Sequence, residues 1–89
     1  VAWIEAAGNY VQLHFGGNRP LLLHSMAALE RRLDPDRFFR ASRAALVNLD
    51  HVERFDSGVR GELIARLRGG DAVPFSRRQS VEFRRTRGI

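Results

Sequence analysis

Two adjacent arginines near the end of the chain stand where a helix is predicted to begin. A short apolar run leads into Ser76, Arg77 and Arg78, and Gln79 follows three residues after the serine. This spacing is that of a capping box, with Ser76 as the N-cap. Positive charges in a first helical turn oppose the helix dipole and cost about 0.3–1 kcal/mol each. Because the free N–H groups at a helix start already bind anions, the pair favours a partner carrying phosphate or a nucleic-acid base. A solvated basic helix end is the alternative interpretation.

The distribution of charge indicates a polyanionic partner. All 15 residues counted as Lys or Arg are arginine. Residues 1–36 carry three arginines against four acids, whereas residues 37–89 carry twelve against six. The absence of lysine is also typical of a GC-rich genome, but the asymmetry between the two parts favours a polyanion. Arginine suits phosphate and guanine because its guanidinium donates two coplanar hydrogen bonds.

Other kinds of chemistry find little support. The chain has no cysteine, which excludes disulfides, thiolate zinc sites and cysteine nucleophiles and fits a reducing, cytoplasmic location. The three histidines (His14, His24 and His51) are far apart, so neither a metal site nor a cofactor is expected. No nucleophile motif is present, and we expect neither an enzyme nor a small-molecule substrate. No apolar run approaches the roughly 20 residues of a membrane span.

The spacing of apolar residues predicts mostly strands. Residues 10–15 alternate, with Val11, Leu13 and Phe15 expected to face a core. Further strands are predicted over residues 1–6, 21–23, 38–47, 51–55, 62–68 and 72–75. In residues 62–68, Leu63, Ala65 and Leu67 stand at alternate positions. The larger aromatic side chains are expected in the core rather than as base-stacking platforms; they are Trp3, Phe15, Phe38, Phe39 and Phe55. Asn48 is expected to bond the backbone where its strand ends.

Two helices are predicted. Ser25 can cap the first, in which Met26, Leu29 and Leu33 form an apolar stripe that ends before Pro35. The second follows Ser76. The expected fold is therefore mainly β, an antiparallel multi-sheet sandwich with one short internal helix and a short C-terminal helix. Residues 1–89 are expected to form a single domain, the C-terminal part of a longer protein, because the chain starts without Met inside a predicted strand.

Four segments in series resemble the LytTR DNA-binding domain. Residues 1–11, VAWIEAAGNYV, are similar to its first two strands and the glycine corner between them. Residues 25–33 are similar to its helix. Residues 38–48, FFRASRAALVN, follow the family pattern F-x-R-x-H-R-S-x-x-V-N, and residues 73–78, VPFSRR, are similar to its closing strand and helix start. The resemblance extends over essentially the whole chain.

The resemblance implies a β fold that presents loops to DNA. In the family, the first and third loops enter successive major grooves and the middle segment lies over the backbone or minor groove between them. It implies sequence-specific binding to double-stranded DNA, usually to direct repeats occupied by two protomers. It also implies the output domain of a bacterial response regulator, driven by an upstream receiver or sensory domain. The residues implied to contact DNA are Asn9 and Tyr10, then Arg40, Ser42 and Arg43, then Arg77 and Arg78.

The residue types refine these roles. Arg77 is the best candidate for a bidentate contact to guanine, and Arg78 for a phosphate contact. Arg40 and Arg43 point to opposite faces of a strand, so both can reach DNA only if the segment is looped or bulged; otherwise Arg40 is structural. Asn9 could contact DNA or act as a left-handed turn residue.

Two departures from the family pattern concern the middle segment. Ser42 stands where many members have His, and Ala44 where many have Ser, so contact with DNA there loses polar groups. Two other functions are left open. A basic β-rich module could bind RNA, anionic lipid or an acidic protein without reading DNA sequence, or the domain could dock on a protein through its sheet. The salt dependence of binding separates specific from merely electrostatic association.

Overall fold

The structure is a computed structural model that describes residues 1–88. Within them the chain forms eight strands, two α-helices and one turn of 3-10 helix at Leu49–His51. The strands are β1 (Trp3–Ala7), β2 (Tyr10–His14), β3 (Leu21–Leu23), β4 (Phe38–Ser42), β5 (Ala45–Asn48), β6 (Val52–Ser57), β7 (Leu63–Leu67) and β8 (Ala72–Pro74). The helices are α1 (Met26–Arg32) and α2 (Arg77–Arg87).

The strands form two antiparallel sheets. The larger has five strands in the order β3-β2-β1-β5-β4, and the smaller has three in the order β6-β7-β8. In the larger sheet, β1 is central: it pairs with β2 through Trp3↔His14 and with β5 through Trp3↔Val47. The predicted fold, a mainly β antiparallel structure with two short helices, is confirmed.

The main core contains residues of both sheets and of α2. The alternating Leu63, Ala65 and Leu67 of β7 are all buried, as predicted from their spacing. Phe83 of α2 is 3% exposed and packs edge-on against Phe39 of β4, with ring centroids 4.9 Å apart. Such aromatic pairs add about 0.5–1.5 kcal/mol beyond the burial of their surface. Helix α2 is therefore held against both sheets by its apolar side.

A second core lies between α1 and the other face of the five-stranded sheet. Met26 is buried beside Ile4, Val11 and Leu46, with the partly buried Leu29 and Leu33 packed against them. The predicted helical stripe is thus confirmed. Ser25 also caps α1 as predicted, since its Oγ accepts a hydrogen bond from the N–H of Ala28 at 3.1 Å.

The end of β2 differs from the prediction. Phe15 is 37% exposed and does not face a core, whereas His14 is 4% exposed. The strand ends at His14, and the backbone of Phe15 exchanges hydrogen bonds with Asn18 in the turn that follows. The His14 ring instead stacks on Trp3, with centroids 4.1 Å apart. The other predicted core aromatics, Trp3, Phe38, Phe39 and Phe55, do pack against the two cores.

The single strand predicted over residues 38–47 is two strands. Strands β4 and β5 form a hairpin that turns at Arg43 and Ala44, and its register shifts between Arg40 and Ser42. No glycine or proline marks this turn. It is closed instead by Ser42, whose Oγ accepts a hydrogen bond from the N–H of Ala44 at 3.2 Å.

Candidate nucleic-acid interface

Three connections lie together at one end of the five-stranded sheet. Because β1 and β5 are antiparallel neighbours, the end of β1 meets the start of β5, and the N–H of Ala6 donates to the carbonyl of Ala44 at 2.8 Å. The N–H of Ser76, before α2, donates to the carbonyl of Ala41 in β4 at 2.9 Å. We call this region the loop edge; it consists of residues 8–10, 42–44 and 76–78.

The first part of the loop edge is the turn between β1 and β2. Ala7 pairs with Tyr10, which leaves Gly8 and Asn9 as the two central residues. Gly8 has φ +65°. Within residues 1–88, every residue with a positive φ is a glycine. The possibility that Asn9 is a left-handed turn residue is therefore wrong, because the glycine before it takes that conformation. Asn9 is exposed, and Tyr10 is 45% exposed despite lying in a strand.

The second part is the turn between β4 and β5, which Arg40 holds in shape. Its Nε donates to the carbonyl of Ser42 at 2.8 Å and its Nη2 to that of Arg43 at 3.1 Å. Its Nη1 lies 2.7 Å from Oε1 of Glu30 in α1. The bulge between Arg40 and Ser42 brings these groups together. All three guanidinium nitrogens are thus engaged by the turn and by α1, whereas Arg43 is exposed.

The third part is the start of α2. Ser76 caps the helix as predicted, since its Oγ accepts a hydrogen bond from the N–H of Gln79 at 3.1 Å. The reciprocal half of the capping box is absent, because the N–H of Ser76 bonds Ala41 instead of the Gln79 side chain. The helix start is therefore tied to β4 rather than closed on itself.

A buried serine that the sequence reasoning missed also fixes this helix. Ser80 is 1% exposed; its Oγ accepts from the N–H of Leu63 at 2.9 Å and donates to the carbonyl of Ser76 at 2.8 Å. Ser80 stands three residues before Phe83 and so shares its helix face. A lone polar residue on an apolar face was the available signal. It joins α2 to β7 and sets the direction of the first turn.

Arg77 and Arg78 both lie in the first turn of α2, as predicted, but they face different neighbours. Successive helical side chains are about 100° apart. Arg78 lines a groove of about 450 Å³ between the helix start and the β4–β5 turn, whose other wall includes Arg43. Arg77 lies towards the β6–β7 connection instead. Both are exposed.

The electrostatics of the loop edge are unbalanced. Among residues 1–88, no carboxylate lies within salt-bridge distance of Arg43, Arg77 or Arg78. The free N–H groups of the first turn of α2 add positive potential at the same place. The loop edge is thus an exposed basic surface whose countercharge is not supplied by the described part of the chain.

Elsewhere the polar residues serve the fold. Asn48 has the predicted structural role: its Nδ2 donates to the carbonyl of Val1 at 2.8 Å, and its Oδ1 accepts from the N–H of Asp50 at 3.0 Å. Residues 1–88 contain no cluster of three side chains suited to a metal ion. In the same residues, no helix is long and apolar enough to cross a membrane.

Comparison with known proteins assigns the chain to a family. The model of the LytTr DNA-binding domain matches residues 1–88. The CO-responsive transcriptional regulator RcoM of Rhodospirillum rubrum is 39% identical over 85 residues, which is 94% of this chain and 36% of that protein. The chain therefore spans about a third of this relative's length.

The fold of the chain is also similar to that of a solved LytTr DNA-binding domain. That domain, from a Bacillus cereus protein named as a methyl-accepting/DNA response regulator, superposes with a TM-score of 0.92 at 22% identity. The match covers 100% of this chain and 82% of that one. Because the family model matches residues 1–88, the chain belongs to the LytTR family of DNA-binding domains.

Proposed function

We propose that the loop edge reads the sequence of double-stranded DNA. The β1–β2 turn and the start of α2 enter successive major grooves, and the β4–β5 turn lies along the backbone between them. The observation that carries the proposal is that Arg43 and Arg78 line one groove at this edge, with Arg77 in the same helical turn as Arg78. Among residues 1–88, no carboxylate lies at salt-bridge distance from any of the three. Phosphate supplies that missing countercharge.

The three connections have different chemical roles in this proposal. Arg77 donates two hydrogen bonds to a guanine, a contact worth about 1–3 kcal/mol of discrimination. Arg78 and Arg43, on the two walls of one groove, bind backbone phosphates and fix the register. Asn9 and Tyr10 present the polar groups of the first turn to the neighbouring groove.

The middle segment contacts the backbone through a reduced set of groups. The Ser42 hydroxyl accepts a hydrogen bond from Ala44, which leaves its own O–H to donate to a phosphate oxygen. Arg40 does not contact DNA in this proposal. Its guanidinium nitrogens are already bonded to two carbonyls of the turn and to the Glu30 carboxylate, so its role is to hold the turn in shape. Arg43 thus supplies the positive charge of this segment.

We further propose that two protomers occupy direct repeats and that the domain is an output module in the cytoplasm. The RcoM relative is named for its response to CO, and the Bacillus cereus protein is named as a response regulator. Both names describe proteins that respond to a signal. The input is therefore a sensory or receiver domain upstream of the DNA-binding domain.

Selection of bound duplexes from a random pool tests the proposal. We expect the selected sequences to converge on a direct repeat that outcompetes random duplex by orders of magnitude at moderate salt. Equal affinity for selected and random duplexes, with a steep salt dependence, would contradict sequence reading. That result would favour a general polyanion-binding module for RNA, anionic lipid or acidic proteins.

A further inference from the structure

The turn between β6 and β7 lies beside α2 and is held in shape by its own hydrogen bonds. The N–H of Gly58 donates to the carbonyl of Glu62 at 2.8 Å, and that of Gly61 to the carbonyl of Gly58 at 3.0 Å. The carboxylate of Glu62 folds over the turn and accepts from the N–H of Arg60 at 2.9 Å. Val59, at the tip, is fully exposed. The turn is therefore closed by its own hydrogen bonds and stands out from the sheet.

Helix α2 braces this turn with an arginine. Nη2 of Arg84 donates to the carbonyl of Gly61 at 2.8 Å. Arg77 stands seven residues, or two helical turns, before Arg84 and so occupies the same face of α2. Together with Arg60 these two arginines line a cavity of about 140 Å³ between the helix and the turn. Arg60 belongs to the β6–β7 turn, whereas Arg77 and Arg84 belong to α2, which lies further along the chain.

The charge in this cavity is not balanced internally. Glu62 is the one acid among its lining residues, and its carboxylate is engaged by the turn backbone. Within residues 1–88, none of Arg60, Arg77 and Arg84 has a carboxylate at salt-bridge distance. Three arginines against one carboxylate line this small cavity, so its excess of positive charge favours an anion.

We propose that Arg60 binds a backbone phosphate of the DNA strand next to the base contacted by Arg77, with Arg84 as the positioning residue that holds the turn. This inference rests on the proposed function, because it needs the duplex to reach Arg77. A strand at Arg77 passes the β6–β7 turn, since both line the same cavity. The anion is therefore a phosphodiester of the same duplex, and the turn becomes a fourth contact outside the loop edge.

The test compares Arg60→Gln with Arg68→Gln. Arg68 is an exposed arginine just beyond the opposite end of β7, so its substitution makes the same change in net charge away from the cavity. For Arg60→Gln we expect affinity for the selected duplex to fall about fivefold relative to Arg68→Gln at moderate salt. The slope of log affinity against log salt should fall by about 1, with selected and scrambled duplexes weakened alike.

Three results decide between the possibilities. Equal affinities and salt slopes for the two variants would overturn the phosphate contact. Loss of preference for the selected duplex in Arg60→Gln would also overturn it, because the residue would then read a base. A wild-type domain that fails to discriminate duplexes would instead contradict the proposed function, and the slope difference between the variants would still decide whether Arg60 binds phosphate. Equal unfolding midpoints in urea confirm that both variants are folded.

Discussion

The loop edge and the outward-facing arginines of β6 and β7 use the same side chain for opposite purposes. On those strands, Nε of Arg66 lies 2.8 Å from Oδ2 of Asp56 and Nε of Arg54 lies 3.3 Å from its Oδ1. At the loop edge, Arg43 and Arg78 line one groove without a carboxylate at salt-bridge distance among residues 1–88. Neighbouring carboxylates therefore neutralise Arg54 and Arg66, whereas the charges of Arg43 and Arg78 remain for a ligand.

Arg40 shows the intermediate case. It lies next to the loop edge in sequence, but its guanidinium is used by Glu30 and two backbone carbonyls. Its side chain is 24% exposed. Proximity to a binding surface thus does not make an arginine a contact residue.

The largest expected effect comes from removing the unpaired charges. The combined substitution of Arg43, Arg77 and Arg78 by Gln should weaken binding to the selected duplex by about 100-fold or more, since one base contact and two phosphate contacts are lost. Replacing Arg54, Arg66 and Arg68 by Gln changes the net charge equally and should alter binding little. Fluorescence anisotropy at fixed salt measures both. Similar losses in the two triple variants would show that net charge alone drives binding.

Arg40→Ala is expected to act first on stability. It leaves the carbonyls of Ser42 and Arg43 without their donor and should lower the free energy of unfolding by about 2–3 kcal/mol, the cost of lost charge-assisted hydrogen bonds. Arg43→Ala should cost less than about 0.5 kcal/mol. Urea denaturation provides the measurement. If Arg40→Ala unfolds like the wild type but loses one unit of salt slope, Arg40 is a direct phosphate contact.

The two arginines of α2 should separate base reading from phosphate binding. Arg77→Gln should relax base preference at one position of each half-site, by about 1–3 kcal/mol. Arg78→Gln should weaken all duplexes about equally. Binding to a set of single-base variants of the selected site distinguishes the two patterns. Full retention of specificity in both variants would make these role assignments wrong.

The smallest effect concerns acid sensitivity on the paired side. The hydrogen bond from Arg66 is the main cause that lowers the pKa of Asp56 below its usual 3.8, and Arg54 adds to it. A lowered folded-state pKa stabilises the fold above the unfolded value, and this contribution is lost as the pH falls through the folded value. Asp56→Asn should therefore be slightly less stable than the wild type near about pH 7, with the difference disappearing as the pH falls below the folded-state pKa of Asp56.

Urea unfolding midpoints at several pH values measure this difference, and duplex binding at neutral pH should be unchanged. A difference that grows towards low pH would contradict the assigned cause. Loss of duplex binding by Asp56→Asn would place a paired arginine in the DNA interface and remove the contrast with the loop edge.

Local patterns predicted much of this fold. The alternation of Leu63, Ala65 and Leu67 and the stripe of Met26 and Leu29 each depend on one period and one buried face, and they are confirmed. The β4–β5 turn was missed because Ser42 closes it through a side-chain hydrogen bond rather than through glycine or proline. Such a turn carries no strong residue signal.

The site was predictable only as a set of residues. The sequence identifies Arg43, Arg77 and Arg78 as candidate DNA contacts. The surroundings of their side chains, however, depend on contacts between segments that are distant in sequence. The bond from Ser76 to Ala41 joins positions 35 residues apart, and Ser80 bonds Leu63 across 17. These tertiary contacts direct Arg77 and Arg78 to different cavities. Residue periodicity and spacing do not predict these hydrogen bonds, because each bond depends on how α2 packs on both sheets.

Amide chemical-shift mapping with the selected duplex locates the DNA-reading surface residue by residue. We expect the largest changes at the loop edge, in residues 8–10, 42–44 and 76–78. Residues 53–57, on the side where the arginines are paired with carboxylates, should change little. Changes centred on residues 53–57, or spread evenly over all exposed arginines, would contradict the claim that the unpaired arginines of the loop edge form the DNA-reading surface.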